Sequence, residues 1–75
     1  MIPVLDTEAT GENIQNLMAK NGIKVKDVQK ACGFSVPQGV YKWLHGAGMP
    51  SIDNLIILSR LLGVGIDDIL VIKEI

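Results

Sequence analysis

The sequence predicts an all-α domain built from five short helices, and three observations support this prediction. Apolar residues recur at helical spacing in each segment, whereas a half-buried strand would alternate apolar and polar residues. Glycines and prolines divide the chain into short pieces. The predicted connections between these pieces are only a few residues long, as in a compact helical bundle.

Capping residues mark the first two helices. Asp6 is a favourable N-terminal cap, and the helical pattern over residues 7–20 ends at Gly22. A second helix of about two turns is predicted over residues 25–32, with Gly33 directly after it. Both helices carry apolar residues at helical spacing.

The third predicted helix begins near a serine and a proline. Ser35 is a good N-terminal cap, and Pro37 suits the first helical turn, where its missing N–H has no consequence. We therefore expect the helix to start there, with one buried and one exposed face. The residues expected on the buried face are Val36, Val40, Trp43 and Leu44.

Two further helices complete the prediction. Ser51 caps a strongly apolar helix over residues 52–62, which ends at Gly63 and which we expect to be the most buried of the five. A short helix follows over residues 66–70, and its early aspartates suit a helix N-terminus. The pattern leaves the conformation of residues 71–75 open.

Composition is typical of one small globular domain spanning residues 1–75. The chain is 48% apolar and 20% charged, which excludes intrinsic disorder. One cysteine and one histidine cannot form an internal disulfide or a four-ligand zinc site, so no metal or cofactor is expected. Because no apolar run is long enough to span a membrane and the N-terminus lacks a signal pattern, we expect a cytoplasmic protein.

Charge is distributed unevenly along the chain. The net charge is only −1, whereas many nucleic-acid-binding domains are basic overall. Five of the seven basic residues nevertheless lie between positions 20 and 45, where Asp27 is the single acidic residue. The middle third of the chain is therefore its electropositive part, unless these lysines form only a solvated surface.

The second and third helices form a candidate helix-turn-helix over about residues 24–45. Gly33 supplies the turn residue that tolerates a positive φ, and the inner faces carry apolar residues, among them Val28 and Cys32. In such a motif the second helix enters the major groove of DNA, while the first crosses the phosphate backbone.

The chain resembles the Cro and phage-repressor helix-turn-helix family, also called the XRE family, across nearly its whole length. This resemblance implies a lambda-repressor-like fold and sequence-specific binding of double-stranded DNA by a transcriptional regulator. The segments that carry it are Ile14-Gln15-Asn16-Leu17, Asp27-Val28-Gln29, Gly33-Phe34-Ser35, Val40-Tyr41-Lys42-Trp43, Gly46, Pro50-Ser51-Ile52-Asp53-Asn54-Leu55, Leu58-Ser59-Arg60-Leu61-Leu62-Gly63-Val64 and Ile66-Asp67-Asp68-Ile69-Leu70.

The resemblance also implies roles for individual residues. Gln38 is the best base reader, because its amide can pair with N6 and N7 of adenine, and Val36 or Pro37 can meet a thymine methyl group. The implied base-contact positions are Val36, Pro37, Gln38, Gly39, Tyr41 and Lys42, of which the last two also suit phosphate contacts. The implied phosphate contacts are Lys24, Val25, Lys26, His45, Gly46 and Gly48.

Some features depart from the family pattern. The family prefers serine or threonine as the cap of its second helix, often followed by glutamine, but this chain has Lys24 and Val25 there. Loss of the cap costs about 1 kcal/mol, and the valine side chain cannot donate to a phosphate. Because the positive charge is also modest, we expect a monomer to bind DNA weakly.

Several residues have structural interpretations that we favour over chemical ones. Trp43 is expected in the core rather than stacking on nucleotides, and Cys32 is expected to be a small buried apolar residue. His45 is expected to be solvated or to contact phosphate. No nucleophile, metal cluster or cofactor loop is recognisable, so an enzyme is not expected.

Apolar residues near the C-terminus exceed what one small core can bury. We expect some of them to form a homodimer or partner surface, although they can also be plain core or contact a further domain. The residues of this predicted surface are Ile66, Ile69, Leu70, Val71, Ile72 and Ile75. Two functions remain open: DNA binding as a dimer, or an antitoxin-like protein-interaction module that uses the apolar surface of the last two helices and the tail.

Overall fold

The computed structural model describes residues 1–75 and consists of five helices and a small two-stranded sheet. The mainly helical architecture confirms the predicted fold class. The elements, in chain order, are β1 Pro3–Leu5, α1 Thr7–Asn21, α2 Val25–Ala31, α3 Gln38–Leu44, α4 Ile52–Leu62, α5 Ile66–Ile69 and β2 Ile72–Glu74. None of the helices has the length and apolar character needed to cross a membrane.

The predicted caps of the two longest helices are present. The Asp6 carboxylate accepts a hydrogen bond of 3.0 Å from the Ala9 N–H at the start of α1, and the helix ends at Gly22. The Ser51 hydroxyl accepts from the Asn54 N–H at 3.2 Å at the start of α4. Each cap satisfies a backbone donor that the helix itself leaves unpaired, which is why these boundaries were predictable.

One apolar core holds the helices together. All five helices contribute to it, and α1 packs against α3, α4 and α5. Trp43 is 5% exposed and lies in this core, as expected. The buried apolar residues are Ile14, Met18, Val28, Val40, Trp43, Leu44, Leu55, Leu58, Leu62 and Ile69.

Two polar side chains of α1 bind the C-terminal part of the chain. The fully buried Thr10 hydroxyl accepts a hydrogen bond of 2.9 Å from the Val71 N–H. The Asn13 side-chain amide donates to the carbonyls of Asp68 and Ile69, at 2.8 and 2.9 Å. The Asn13 bonds attach α5 to α1, and the Thr10 bond holds the segment that follows α5 against α1.

The sheet joins the two ends of the chain and was not expected from the sequence. β1 and β2 pair antiparallel, with Val4 opposite Lys73, and backbone bonds between Ile2 and Ile75 extend the pairing. The open question about residues 71–75 is thereby answered, since most of them form or flank β2. Strands of three residues have no measurable periodicity, and their partners lie about seventy positions apart, so sequence patterns do not reveal them.

The predicted start of the third helix was wrong. α3 begins at Gln38 with Pro37 as its N-cap, and Ser35 and Val36 belong to the turn before it. Proline disfavours the helical conformation in the residue that precedes it, so the helix cannot include Val36. Val36 is consequently 53% exposed instead of belonging to the buried face, whereas Val40 and Leu44 are buried as expected.

α4 is less buried than its composition suggested. Leu55, Leu58 and Leu62 face the core, but Ile52 is 71% exposed and Ile56 is 46% exposed. A surface helix buries one stripe of side chains, and the remaining apolar residues of α4 lie outside that stripe. The expectation that α4 is the most buried helix was wrong, since three of its eleven residues are buried, compared with three of the seven in α3.

Candidate nucleic-acid interface

α2 and α3 are joined by a six-residue turn, residues 32–37, that forms a helix-turn-helix. Gly33 has a φ of 74°, a conformation that favours glycine, as the sequence predicted. The Phe34 N–H donates to the Gln29 carbonyl at 3.0 Å, and the Gln29 side-chain amide donates to the Phe34 carbonyl at 3.3 Å. These two bonds hold the turn against the end of α2.

An aromatic contact supports α3 from behind. The rings of Phe34 and Trp43 meet edge to face, with centroids 5.6 Å apart. A Cβ atom on Gly39 would lie 3.3 Å from the Phe34 ring, so this side of α3 faces the turn. Gly39 is one of the predicted base-contact residues, but it has no side chain and can contribute only backbone atoms.

The outer face of α3 carries one continuous polar stripe. Gln38, Tyr41, Lys42 and His45 follow one another at helical spacing, and all four are exposed. The rings of Tyr41 and His45 are stacked, with centroids 6.3 Å apart and planes inclined by 24°. The structure thus brings together an amide, a phenol, an ammonium group and an imidazole on one accessible helix face.

α1 determines the position of α3 through Gly11 and Gln15, neither of which has a predicted role. A Cβ atom on Gly11 would lie 2.3 Å from the Trp43 carbonyl oxygen and 2.7 Å from that of Leu44. The Gln15 side-chain amide donates to the Leu44 carbonyl at 2.9 Å. Gly11 was the one signal of this contact in the sequence. Glycine destabilises a helix interior, so its presence inside a predicted helix indicates a close approach of another element.

The segment that leads into α3 is accessible. Val36 is 53% exposed, whereas Pro37 is half-buried. The N–H groups of Gln38 and Gly39 have no acceptor in the chain, as expected for the first residues of a helix. This end of α3 therefore offers one apolar side chain, one amide side chain and two backbone donors.

The start of α2 presents the donors expected for phosphate binding. Lys24 and Lys26 are exposed, and the N–H groups of Val25 and Lys26 have no acceptor in the chain. No side chain replaces the missing serine or threonine cap, but the Asp27 carboxylate accepts a hydrogen bond of 2.8 Å from the Lys24 N–H. This bond is one half of a capping box.

The two glycines predicted to contact phosphate in the loop after α3 differ in their backbone amides. The Gly46 N–H donates to the Trp43 carbonyl at 3.2 Å, and a Cβ atom on Gly46 would lie 2.8 Å from Cα of Glu8. Gly46 therefore packs the loop against α1 and has no unpaired N–H. The Gly48 N–H has no acceptor in the chain, and Gly48 lies beside the Cβ atom of Lys42.

The lysines of α2 do not all lie on the same side. Lys30 lines a shallow groove with Ile23 and Leu61, on the side of α2 that faces α4. Lys24 lies on another side, where it lines a depression together with Leu44 at the end of α3. The electropositive third of the sequence is thus divided in space: Lys42 belongs to the polar stripe and Lys24 lies beside the end of α3, whereas Lys30 faces α4.

Cys32 packs against the core as predicted, but it is less buried than expected. It is half-buried against the core, and burial raises the pKa of its thiol above the ordinary value. A protonated thiol is a poor nucleophile and a poor metal ligand.

The predicted dimer or partner surface is only partly exposed. Ile72 is 54% exposed and Ile75 is 71% exposed, whereas Ile66, Leu70 and Val71 are half-buried. Ile69 is completely buried in the core, so its inclusion in that surface was wrong. It is the last residue of the one-turn helix α5, which anchors on the core through this side chain.

Comparisons with known proteins identify the family. The crystal structure of the clp gene regulator ClgR from C. glutamicum is similar, with a TM-score of 0.70 and 22% sequence identity, over 84% of this chain and 80% of that one. At this identity the similarity establishes the fold. No sequence among the curated proteins matches the chain. The family model for the Cro/C1-type HTH DNA-binding domain matches residues 13–74, and the chain therefore belongs to the Cro/C1-type helix-turn-helix DNA-binding domain family.

Proposed function

We propose that this chain is a transcriptional regulator that recognises a specific sequence in double-stranded DNA, with α3 in the major groove. The observation that carries the proposal is the exposed polar stripe of Gln38, Tyr41, Lys42 and His45 on the second helix of a helix-turn-helix. A helix of this size fits the major groove, where each base pair displays its own pattern of donors and acceptors.

Hydrogen-bond donors and lysines that suit phosphate binding occur before and after α3 in the chain, and they support this orientation. The start of α2 supplies Lys24, Lys26 and two unpaired backbone N–H groups, and the loop after α3 supplies the unpaired N–H of Gly48. Contacts to the DNA backbone position a helix-turn-helix protein, while side chains of the second helix read the bases. In this arrangement His45 lies at the end of the stripe nearest to the loop and contacts phosphate.

We further propose that the functional form is a homodimer. The few lysines around α3 provide limited non-specific affinity, and a second copy doubles the contacts. Two α3 helices held about 34 Å apart would read half-sites one turn of DNA apart. The dimer surface that we propose comprises Ile66, Leu70, Val71, Ile72 and Ile75, among which the two exposed isoleucines have no partner side chains to bury them in the monomer.

The experiment is selection of duplexes from a random pool, followed by affinity measurements with the selected sequence. The double variant Gln38→Ala with Lys42→Ala should lose specific binding, because it removes the amide and the ammonium group from the stripe. The matched control is Asn16→Ala with Lys20→Ala, which removes the same chemistry from an exposed face of α1. Unchanged affinity of the stripe variant, or failure to select any sequence, would refute the proposed function.

A further inference from the structure

A continuous groove runs between α2 and α4. It consists of two adjoining depressions, of about 490 and 580 Å³, which share Ala31 of α2 and Leu61 of α4 as lining residues. Ile23 lines the first depression, and Ile57 lines the second. No residue of α3 or of the proposed dimer surface lines either depression. This feature, which we call the α2–α4 groove, therefore takes no part in the proposed contacts with DNA or with a second copy.

The floor of the α2–α4 groove is apolar and incompletely covered. Ile57 and Leu61 are half-buried, and Ile56 beside them is 46% exposed. Small-molecule sites enclose most of the surface of the ligand, whereas this groove is shallow and open. An amphipathic helix fits an open groove, because it inserts one apolar face and leaves the other in water. The shape therefore favours a helical segment of a protein over a small molecule.

Two cationic side chains lie at the groove, one on each of its helices. Lys30 belongs to the last turn of α2 and Arg60 to the last turn of α4, and both are exposed. No carboxylate of the chain forms an ion pair with either of them. Asp27 is the only acidic residue that lines the groove, and its carboxylate already accepts the hydrogen bond from the Lys24 N–H. The two free cations attract a partner with acidic side chains and repel a basic one.

We propose that the α2–α4 groove binds an acidic amphipathic helix of another protein. The aliphatic side chains of this helix pack on Ile56, Ile57 and Leu61, and its carboxylates pair with Lys30 and Arg60. The inference goes beyond the proposed function, because these residues are separate from those proposed to bind DNA. A chain bound to DNA through α3 brings this partner to the same site.

The test is selection of helical peptides from a phage-displayed library, with the full chain as the target. We expect the selected peptides to combine aliphatic residues at positions i, i+3 or i+4, and i+7 with several acidic residues. Addition of a selected peptide should change the backbone amide shifts around residues 30–31 and 56–61. An excess of duplex DNA should not displace the peptide.

Reversal of charge tests the acidic class of the partner. Lys30→Glu with Arg60→Glu should weaken binding of the selected peptide about tenfold, and lysines in place of the acidic residues of the peptide should restore binding to this variant. The matched control is Lys20→Glu with Lys73→Glu, which makes the same change of charge at exposed positions outside the groove and should leave binding unchanged.

A second pair of variants tests where the peptide lies. Ala31 is exposed and lies where the two depressions meet, so the side chain of Ala31→Gln should fill the groove and abolish the shift changes there. Ala19→Gln makes the same change at an exposed position of α1 and should preserve them.

Several results would overturn the inference while leaving the proposed function to its own experiment. They include selection of no peptide, and a selected peptide that keeps its affinity for the charge-reversed variant. Peptides that change only residues 24–26 and 36–48 and are displaced by duplex DNA would be imitating DNA, which also contradicts the inference. Shift changes in the groove that depend on the concentration of the chain alone would assign the groove to a second copy instead.

Discussion

The side-chain amide of Gln15 in α1 donates a hydrogen bond of 2.9 Å to the backbone carbonyl of Leu44, the last residue of α3. This carbonyl lies in the final turn of the helix, where no N–H group of the helix can donate to it. Beside it, Gly11 allows the backbone of α1 to approach the same turn closely. α1 thus determines the position of α3, which carries the candidate DNA-binding stripe.

Loss of the Gln15 contact should weaken DNA binding more than stability alone explains. We expect Gln15→Ala to lower the free energy of unfolding by about 1 kcal/mol, the value of one hydrogen bond, and also to lower DNA affinity because α3 is held less firmly. Urea denaturation and fluorescence anisotropy measure the two effects. Asn13→Ala is the matched control, because it removes amide bonds from the same helix to α5 and should leave the affinity of the folded protein unchanged.

Gly11→Ala should destabilise the protein, although alanine normally stabilises a helix interior by about 1 kcal/mol relative to glycine. The new Cβ atom would lie 2.3 Å from the Trp43 carbonyl oxygen, so α1 and α3 must separate. We expect a loss of about 2 kcal/mol, as in other overpacked cores, measured by thermal or urea unfolding. A Cβ atom in Gly39→Ala would lie 3.3 Å from the Phe34 ring, so a small shift of that ring is enough and the loss of stability should be much smaller than for Gly11→Ala. A Gly11→Ala protein as stable as the wild type would contradict the packing described for these helices.

The buried Thr10 hydroxyl should be necessary for the attachment of the C-terminal strand. Thr10→Val keeps the shape of the side chain but leaves the Val71 N–H without its acceptor, at a cost of about 1–3 kcal/mol. We expect faster hydrogen exchange at Val71 and along β2 in this variant. Thr10→Ser retains the hydroxyl group and should protect the Val71 amide much better than Thr10→Val does. Equal protection in the two variants would contradict the role of the hydrogen bond, and better protection in Thr10→Val would show that the methyl group holds the segment.

Two lysines of α2 should differ in their contribution to DNA binding. Lys26 adjoins the unpaired backbone N–H groups at the start of the helix, whereas Lys30 lies in its last turn and lines the groove that faces α4. A lysine that neutralises one phosphate contributes about 0.9 to the slope of log affinity against log salt concentration. Lys26→Ala should therefore reduce this slope by about one, and Lys30→Ala should leave it unchanged. An equal reduction in both variants would contradict the proposed orientation of α2 on the DNA backbone.

Dimerisation should depend on the C-terminal isoleucines. Ile72→Lys with Ile75→Lys places two charges on the proposed surface, so we expect the dimer to dissociate, as measured by sedimentation equilibrium. Ile52→Lys with Ile56→Lys introduces the same charges on the exposed face of α4 and should leave the dimer intact. Dissociation by the second pair alone would move the interface to α4. A wild-type protein that is monomeric at all concentrations would refute the dimer.

Local signals explain which parts of the fold were predictable. Asp6, Ser51, Gly22 and Gly63 mark helix boundaries through caps and chain reversals that involve only neighbouring residues. The sheet depends instead on pairing between the two ends of the chain, and no local pattern encodes that. α3 starts later than predicted because the restriction that Pro37 imposes on the residue before it outweighs the cap preference of Ser35.

The candidate site was predictable in its chemistry and less so in its geometry. The stripe of Gln38, Tyr41 and Lys42 follows from helical spacing together with the family resemblance, and its exposure is confirmed. Individual burial was not predictable: Ile69 and Ile72 are both isoleucines near the C-terminus, yet one lies in the core and the other is exposed. The supporting roles of Gly11 and Gln15 depend on how α1 and α3 approach each other, which is a property of the tertiary structure.

The most direct test of DNA binding through α3 is an NMR titration of the backbone amides with duplex DNA, at low and at higher salt. We predict that chemical shifts change mainly at residues 24–26 and 36–48, and that the changes diminish as salt increases. If those residues do not respond, and only residues 66–75 change with protein concentration, the exposed apolar surface is the functional site and binding of DNA through α3 is contradicted.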